Sequence, residues 1–286
     1  MNNKAKHFLI TCITLIWTIL GGITITHADT NPDLGSQNIM SVAWYQTAAE
    51  AKALYLQGYN VARQNLDNDL QQPSNKPRAI ILDIDETVLD NSPYQAYNAL
   101  HNTQYPYGWK KWCESEKACA VPGAKDFLNY ANSKGVQIYY ITNRSSDLLK
   151  ATEQNLIKQG LPQANNQHVI LQQKKDKSNS NSKQSRRQQI ENNNNVLMYI
   201  GDSLTDFNDP QKPTVQSRYQ DVMQNQSAWG TKYIILPNPM YGGWEAALYN
   251  NNYNISKSQM IKDRRNWITY YNPKNNKIEN KTVTEQ

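Results

Sequence analysis

Residues 78–93 read RAIILDIDETVLDNSP, and this stretch decides how the rest of the 286-residue chain is interpreted. Its aliphatic residues run into Asp83 and Asp85, and turn-forming residues follow at once. Such a run is typical of a buried, parallel strand, because both faces of that strand are covered. In open α/β sheets the ligand crevice lies just beyond the carboxyl ends of the strands. The two acids are therefore predicted to face a substrate.

An acidic cluster of this kind would also suit the first turn of a helix, where negative charge complements the helix dipole. The wider pattern D-x-D-E-T-x-L-D-N-S, over residues 83–92, favours a site instead. It resembles the first motif of the haloacid dehalogenase (HAD) superfamily of phosphotransferases. Its extended form resembles the class C nonspecific acid phosphatases, a group that includes bacterial lipoprotein-type 5′-nucleotidases.

Patterns typical of helices and strands alternate after this first strand, which predicts an α/β fold with a Rossmann-like, doubly wound parallel sheet. The predicted core spans residues 78–250. An aromatic-rich insertion around residues 92–122 lies where the superfamily carries a cap over the site. Further strands are predicted over residues 136–141, 168–171, 196–200 and 233–236, and helices over residues 124–133 and 147–158 and near Lys183.

Two regions flank the predicted core. Residues 29–77 are predicted to contain helices that pack on the core. Separately, the family resemblance implies a homodimer. The apolar face of the helical region is predicted from residues at three- and four-residue spacing, namely Val42, Tyr45, Ala49, Ala53, Leu56 and Tyr59. Residues 251–286 form a polar C-terminal segment, with a frayed tail predicted from Lys274.

The amino terminus has the features of a secretory signal. Two lysines precede an apolar run over residues 8–25, and residues 26–28, Thr-His-Ala, form a small-x-small cleavage site. An uncleaved membrane anchor is the alternative, but two glycines interrupt the run. We predict a cleaved signal peptide over residues 1–28 and a periplasmic or secreted protein.

The cysteines bear on anchoring and on cross-linking. The best-known members of the resembled family carry a lipid-modified cysteine at the cleavage site, whereas Cys12 lies inside the apolar run, so no stable membrane anchor is predicted. Cys113 and Cys119 lie six positions apart. In an oxidising compartment two such thiols pair more often than not, whereas a metal site would need further Cys or His. The spacing permits this disulfide without establishing it.

Thr142 and Asn143 follow a second apolar strand. A threonine in this place often caps the next helix. The superfamily pattern, however, requires a hydroxyl at the end of such a strand, so the resemblance implies that Thr142 binds phosphate and that Asn143 assists it.

The third motif of the superfamily is a lysine. Most lysines are only solvated, and Lys174, Lys175, Lys177 and Lys183 compete for this role. We favour Lys183 because Lys-Gln-Ser-Arg-Arg resembles the family's Lys-x-x-Arg-Arg at the start of a helix. Lys177 is the second choice.

Asp202 and Asp206 lie in G-D-x-x-x-D directly after another apolar strand. Two acids at this spacing would also suit an ordinary helix amino terminus. Together with Asp83 and Asp85 they make a hard oxygen site of the kind that Mg²⁺ prefers. The four motifs occur in the superfamily's order, and the resemblance extends from about residue 42 to residue 244.

The resemblance implies a mechanism for phosphate monoesters. Asp83 would attack phosphorus and form an aspartyl-phosphate, while Asp85 would act as general acid and then as general base. Mg²⁺ would be held by Asp83, Asp202 and the backbone carbonyl of Asp85, and Asp206 would hold metal-bound water. Lys183 and Thr142 would complete the phosphate cradle. An acidic pH optimum is expected if the rate depends on protonated Asp85.

The substrate must be chosen by groups beyond the phosphate. The resemblance implies that the base of a nucleoside 5′-monophosphate stacks between Tyr241 and a cap aromatic, either Tyr94 or Trp112. Such stacking tolerates any base, because every base has a π-face. The alternative is that Tyr241 only packs the end of the last strand.

Two other functions compete with the phosphatase. The formal net charge of +6 suggests nucleic-acid binding as one alternative. The basic residues are scattered, however, and no recognised nucleic-acid module is present. No nucleic acid polymer is therefore expected as a partner. A non-catalytic storage or binding protein on the same fold is the other alternative, since plant storage relatives can lack the nucleophile. The presence of Asp83 favours an enzyme.

Overall fold

The computed structural model describes residues 33–173, 182–209 and 214–280. The predicted signal peptide, Cys12 and Lys177 lie outside these residues. The strands are β1 (Arg78–Leu82), β2 (Leu89–Asp90), β3 (Cys119–Ala120), β4 (Gln137–Ser145), β5 (Val169–Gln172), β6 (Asn195–Gly201), β7 (Tyr233–Ile235), β8 (Thr269–Asn272) and β9 (Lys277–Asn280).

The helices alternate with β1 and β4–β7, flank these five strands at both ends, and end before β8 and β9. They are α1 (Ile39–Thr47), α2 (Ala49–Asp69), α3 (Ser92–His101), α4 (Trp109–Ser115), α5 (Ala124–Ser133), α6 (Leu149–Lys158), α7 (Gln184–Asn193), α8 (Val215–Gln224), α9 (Gly243–Leu248) and α10 (Lys257–Asn266).

The central sheet has the strand order β5-β4-β1-β6-β7, and all of its neighbours are parallel. Alternate side chains of β1 enter two different cores: Ile80 and Leu82 lie in the larger hydrophobic cluster, and Ala79 and Ile81 lie in the smaller one. Because successive side chains of a strand point to opposite faces, both faces of the sheet are covered. The predicted doubly wound fold is confirmed.

The predicted apolar face of the N-terminal region is wrong in part. Ala48 adopts an extended conformation with ψ of 128°, which separates α1 from α2 and resets the helical phase. Ala49, Ala53 and Leu56 are consequently exposed. The buried face of α2 consists of Ala51, Tyr55, Tyr59, Ala62 and Leu66.

The insertion after β1 contains α3 and α4 and an antiparallel pair formed by β2 and β3. The expected disulfide is wrong, since Cys113 and Cys119 are both free thiols. Cys113 lies buried in the larger core, whereas Cys119 is exposed. Cys113 is carried by α4 and Cys119 by β3, and no disulfide joins them.

The C-terminal segment is more ordered than the sequence predicts. The frayed tail expected from Lys274 is wrong as far as residue 280, because β8 and β9 form an antiparallel hairpin. Its turn is built by asparagines: Asn276 has φ of 57°, and Asn275 Oδ1 accepts a hydrogen bond of 3.0 Å from Lys277 N. Asparagine tolerates this left-handed conformation and bonds its local backbone. Across the described ranges, no helix is both long and apolar enough to cross a membrane.

Candidate active site

Several predicted site residues lie at the carboxyl ends of three adjacent strands, β4, β1 and β6. Asp83 continues the pairing of β1, because its backbone N–H donates to Ile200 O at 3.0 Å. Asp202 directly follows β6, and Thr142 lies near the end of β4. Parallel strands present their carboxyl ends at one edge of the sheet, which is why residues distant in sequence meet there.

Three carboxylates form the centre of the site. One oxygen each from Asp83, Asp202 and Asp206 lies within 4.8 Å of the other two. Lys183 is buried against them, and its Nζ donates to Asp83 Oδ1 and to Asp206 Oδ1, the latter at 2.7 Å. Within the described part of the site, Asp83 and Asp206 thus share this ammonium group, and the three acids of the cluster outnumber it.

Two acids of this cluster, Asp83 and Asp202, have raised pKa values. Burial raises the pKa of Asp83 to about 7, although the Lys183 ammonium opposes the shift. Burial and the neighbouring charges of Asp206 and Asp83 raise the pKa of Asp202 well above its usual range. A divalent cation would relieve this repulsion, and carboxylate oxygens are the ligands that Mg²⁺ prefers. The residues present therefore fit a hard divalent metal.

The geometry of Asp206 explains the glycine of the G-D-x-x-x-D motif. A Cβ added to Gly201 would lie 2.3 Å from Asp206 Oδ2, so any side chain there would collide with the acid. Asp206 Oδ2 also accepts a hydrogen bond of 2.9 Å from Ser203 N. Asp202 is oriented separately, since Asn238 Nδ2 donates to its Oδ2 at 2.8 Å. Both acids are therefore held in fixed positions.

The carboxylate of Asp85 is not part of this three-acid group and pairs with a different cation. Arg144 Nη2 donates to Asp85 Oδ1 at 2.7 Å, and Arg144 Nε donates to the same oxygen at 3.0 Å. Thr142 Oγ1 donates to Asp85 Oδ2 at 3.1 Å. The hydroxyl predicted to bind phosphate is thus hydrogen-bonded to Asp85 in this structure.

The length of β4 explains how Thr142, Asn143 and Arg144 divide their contacts. The strand continues to Ser145, beyond its predicted end, so these three side chains alternate between its faces. Thr142 and Arg144 both reach Asp85. Asn143 Oδ1 instead accepts a hydrogen bond from Arg186 Nη2.

The Lys-x-x-Arg-Arg motif joins two elements of the site. Lys183, at the amino end of α7, reaches the acids, while Arg186 Nη1 donates to Thr142 O at 2.7 Å. Arg187 donates to Thr205 O, in the turn that carries Asp206. The motif therefore fixes α7 to both β4 and the acidic turn, which in turn fixes Lys183.

The three predicted aromatic residues lie in different environments. Tyr94 is buried, 5% exposed, and packs edge-on against Trp109 with ring centroids 5.0 Å apart, so it belongs to the packing of the cap. Trp112 is half-buried and donates from Nε1 to Asn91 Oδ1 at 2.7 Å. Tyr241 is also half-buried, and its hydroxyl donates to Glu86 Oε2.

Three residues of this region were not predicted as parts of the site. Arg144 was visible in the Thr-Asn-Arg end of a strand, but nothing in the sequence indicates that it pairs with Asp85. Glu86 reads as an ordinary surface acid, yet it is fully buried with φ of 55°. Burial, together with the charge of Asp85, raises the pKa of Glu86 to about 8. Asn91 joins these groups by hydrogen bonds that only the folded chain reveals.

Comparison with known proteins identifies the family of this chain. A family model described as HAD superfamily, subfamily IIIB (acid phosphatase), matches residues 14–244. The structure of the class C acid phosphatase from Bacillus anthracis is similar, with 43% sequence identity, a TM-score of 0.81, and coverage of 84% of this chain and 100% of that one. The class C acid phosphatase from Bacillus anthracis with tungstate bound is 42% identical, with a TM-score of 0.80 and the same coverage. The chain therefore belongs to the acid phosphatases of HAD subfamily IIIB and is a phosphomonoesterase.

Proposed function

We propose that this chain is a Mg²⁺-dependent acid phosphatase that hydrolyses nucleoside 5′-monophosphates through an aspartyl-phosphate on Asp83. The observation that carries the proposal is the position of Asp83. It lies at the carboxyl end of the central strand, buried between two further acids and the ammonium group of Lys183. A carboxylate held in this way can act as a nucleophile if cations reduce its repulsion of an anionic phosphate.

The metal would be held by Asp83, Asp202 and Asp206 and by the backbone carbonyl of Asp85. When bound, Mg²⁺ supplies positive charge that polarises phosphoryl oxygens and offsets the excess of carboxylates. The support comes from the donor set, since three carboxylate oxygens lie within 4.8 Å of one another.

Asp83 would form the new bond to phosphorus as the bond between phosphorus and the ester oxygen breaks. Asp85 would donate a proton to the departing alkoxide and later take a proton from the water that hydrolyses the intermediate. Arg144 and Thr142 hold the Asp85 carboxylate in place for both steps. Lys183 offsets the negative charge on Asp83 and on the transferred phosphoryl group.

The choice of substrate rests on Tyr241 and Trp112. Both rings are half-buried, whereas Tyr94 is taken up by the packing of the cap. A base stacked on an aromatic ring gains about 1–3 kcal/mol with little discrimination among bases. We therefore propose Tyr241 and Trp112 as the contacts for the base.

Release of inorganic phosphate from adenosine 5′-monophosphate tests the proposal. The reaction should require Mg²⁺, stop in EDTA and resume when Mg²⁺ is returned. Tungstate, a tetrahedral oxyanion found on the Bacillus anthracis relative, should compete with the substrate. No phosphate release with Mg²⁺ or another divalent metal would overturn the proposal and favour the non-catalytic alternative.

A further inference from the structure

Asn91 lies where three parts of the molecule meet. It precedes α3 of the cap, and it is fully buried. Its Nδ2 donates to Asp85 Oδ1 at 2.8 Å and to Glu86 Oε2 at 3.4 Å. Its Oδ1 accepts from Trp112 Nε1 at 2.7 Å and from Arg144 Nη2 at 3.4 Å. Its backbone N–H donates to Glu86 Oε1 at 2.8 Å.

The chemistry of its partners fixes which way the Asn91 amide points. An indole N–H and a guanidinium can only donate hydrogen bonds, and an ionised carboxylate can only accept them. The amide oxygen must therefore face Trp112, and the amide nitrogen must face Asp85. A flipped amide would place its NH₂ group against the Trp112 N–H and its oxygen against the Asp85 carboxylate. The side chain is therefore locked in one orientation.

We propose that Asn91 is a positioning residue that sets the orientation of the Asp85 carboxylate and ties it to Trp112 of the cap. Thr142 and Arg144 hold Asp85 from β4, and Asn91 holds it from the cap side. This inference rests on the proposed role of Asp85 in protonating the leaving group. It adds that the cap takes part in that step through one buried amide.

The residue type at position 91 follows from these contacts. An aspartate would set a third carboxylate against Asp85 and Glu86 and could not donate to either. An alanine would remove the acceptor of the Trp112 indole N–H and the amide donor to Asp85 Oδ1. Asparagine offers an acceptor and a donor on one short, rigid side chain.

Leaving-group dependence distinguishes positioning from a purely structural role. Ethyl phosphate must expel an alkoxide and needs a proton from Asp85, whereas acetyl phosphate expels acetate and does not. Neither substrate has a ring, so stacking does not enter. The quantity to compare is kcat/KM, which reports only on steps up to release of the leaving group.

Asn91→Ala should lower kcat/KM for ethyl phosphate at least about tenfold more than for acetyl phosphate, since general acid catalysis is worth about 10²-fold or more. Far-ultraviolet circular dichroism and Tm would show whether the variant is folded. Equal losses for the two substrates in a folded variant would overturn the proposal.

Trp112→Phe is the milder test, because it removes the indole N–H and keeps an aromatic ring. It should shift the same ratio in the same direction, by about threefold or more, and it should have no further effect in an Asn91→Ala background. Trp229→Phe is the matched control, since Trp229 is also half-buried and loses one hydrogen bond, of 3.1 Å to Val222 O. The control should leave the ratio unchanged.

These outcomes separate this inference from the proposed function. If the wild type releases no phosphate from either ester, the proposed function fails. If the wild type is active but Trp112→Phe leaves the ratio unchanged, or acts equally with and without Asn91, the positioning role fails while the phosphatase stands.

Discussion

Asp83 and Asp202 share one cluster but are expected to fail in different ways when they are replaced. Asp83→Asn removes the proposed nucleophile at nearly constant shape, so turnover should be lost at every Mg²⁺ concentration. Asp202→Asn removes a proposed metal ligand, so activity should return in part as Mg²⁺ is raised. Titrating kcat with Mg²⁺ checks both. An Asp83→Asn protein that high Mg²⁺ rescues would contradict the division of roles.

The two thiols of residues 29–286 should differ sharply in reactivity. Burial raises the pKa of Cys113 to about 12, so its thiolate is scarce at neutral pH, whereas Cys119 is exposed. A thiol reagent should therefore titrate Cys119 in the native protein and Cys113 only after unfolding. If no thiol reacts in the unfolded, unreduced protein, this prediction fails and the disulfide expected from the sequence is present.

The segment between β7 and α9 is expected to act on substrates through the ring of Tyr241. Tyr241→Ala should lower kcat/KM for nucleoside 5′-monophosphates by about tenfold to a hundredfold and spare small aliphatic phosphate esters. Tyr241→Phe is the control, because it keeps the ring and loses only the hydrogen bond to Glu86. Equal losses on both substrate classes with Tyr241→Ala would mean that the segment is structural.

The elements that the sequence predicts well are those with strong local signals. β1, β6 and α5 have continuous apolar runs or clear caps, and they were found within a residue or two of their predicted bounds. The phase of α2 was missed, because one extended residue, Ala48, resets it. The helices of the cap were missed because α3 buries polar Ser92 and Asn98, and α4 is short and buries only Cys113.

The site shows the same division. Motif spacing predicts Asp83, Asp202, Asp206 and Lys183, which the fold brings together. The contacts of Arg144, Glu86 and Asn91 could not be predicted, because each depends on side-chain orientation at a junction between elements. The burial of Glu86 cannot be recognised in the sequence, since the groups that donate to its carboxyl oxygens, Tyr241 and the backbone of Asn91, meet it only in the fold.

The stability of the whole molecule should fall as the pH rises when metal is absent. Burial raises the pKa values of Asp83 to about 7 and of Glu86 to about 8 in the folded protein. Their contribution is fully present below the pKa of an unfolded carboxyl group, about 4, and is lost as the pH rises through the folded values. Urea unfolding in EDTA between about pH 5 and pH 8 checks this sign.

Magnesium should oppose that trend at Asp83, because a cation competes with protons for the carboxylates that bind it. Saturating Mg²⁺, at about a hundredfold excess over its Kd, should add about 2.7 kcal/mol to the free energy of unfolding near neutral pH. The gain should be smaller near pH 5, where Asp83 is protonated. A gain that does not depend on pH would place the metal elsewhere.

Export across a membrane and assembly into a homodimer remain predictions from the sequence.

Trapping the phosphoryl-enzyme tests the central claim most directly. Asp85→Asn should still accept a phosphoryl group from acetyl phosphate, whose leaving group needs no proton, but should hydrolyse the intermediate slowly. Acid quenching of this variant with Mg²⁺, followed by peptide mapping by mass spectrometry, should find one phosphoryl group on Asp83. Asp83→Asn should carry none. Steady phosphate release by the wild type, with no phosphoryl group on Asp83 in the Asp85→Asn protein, would contradict the account.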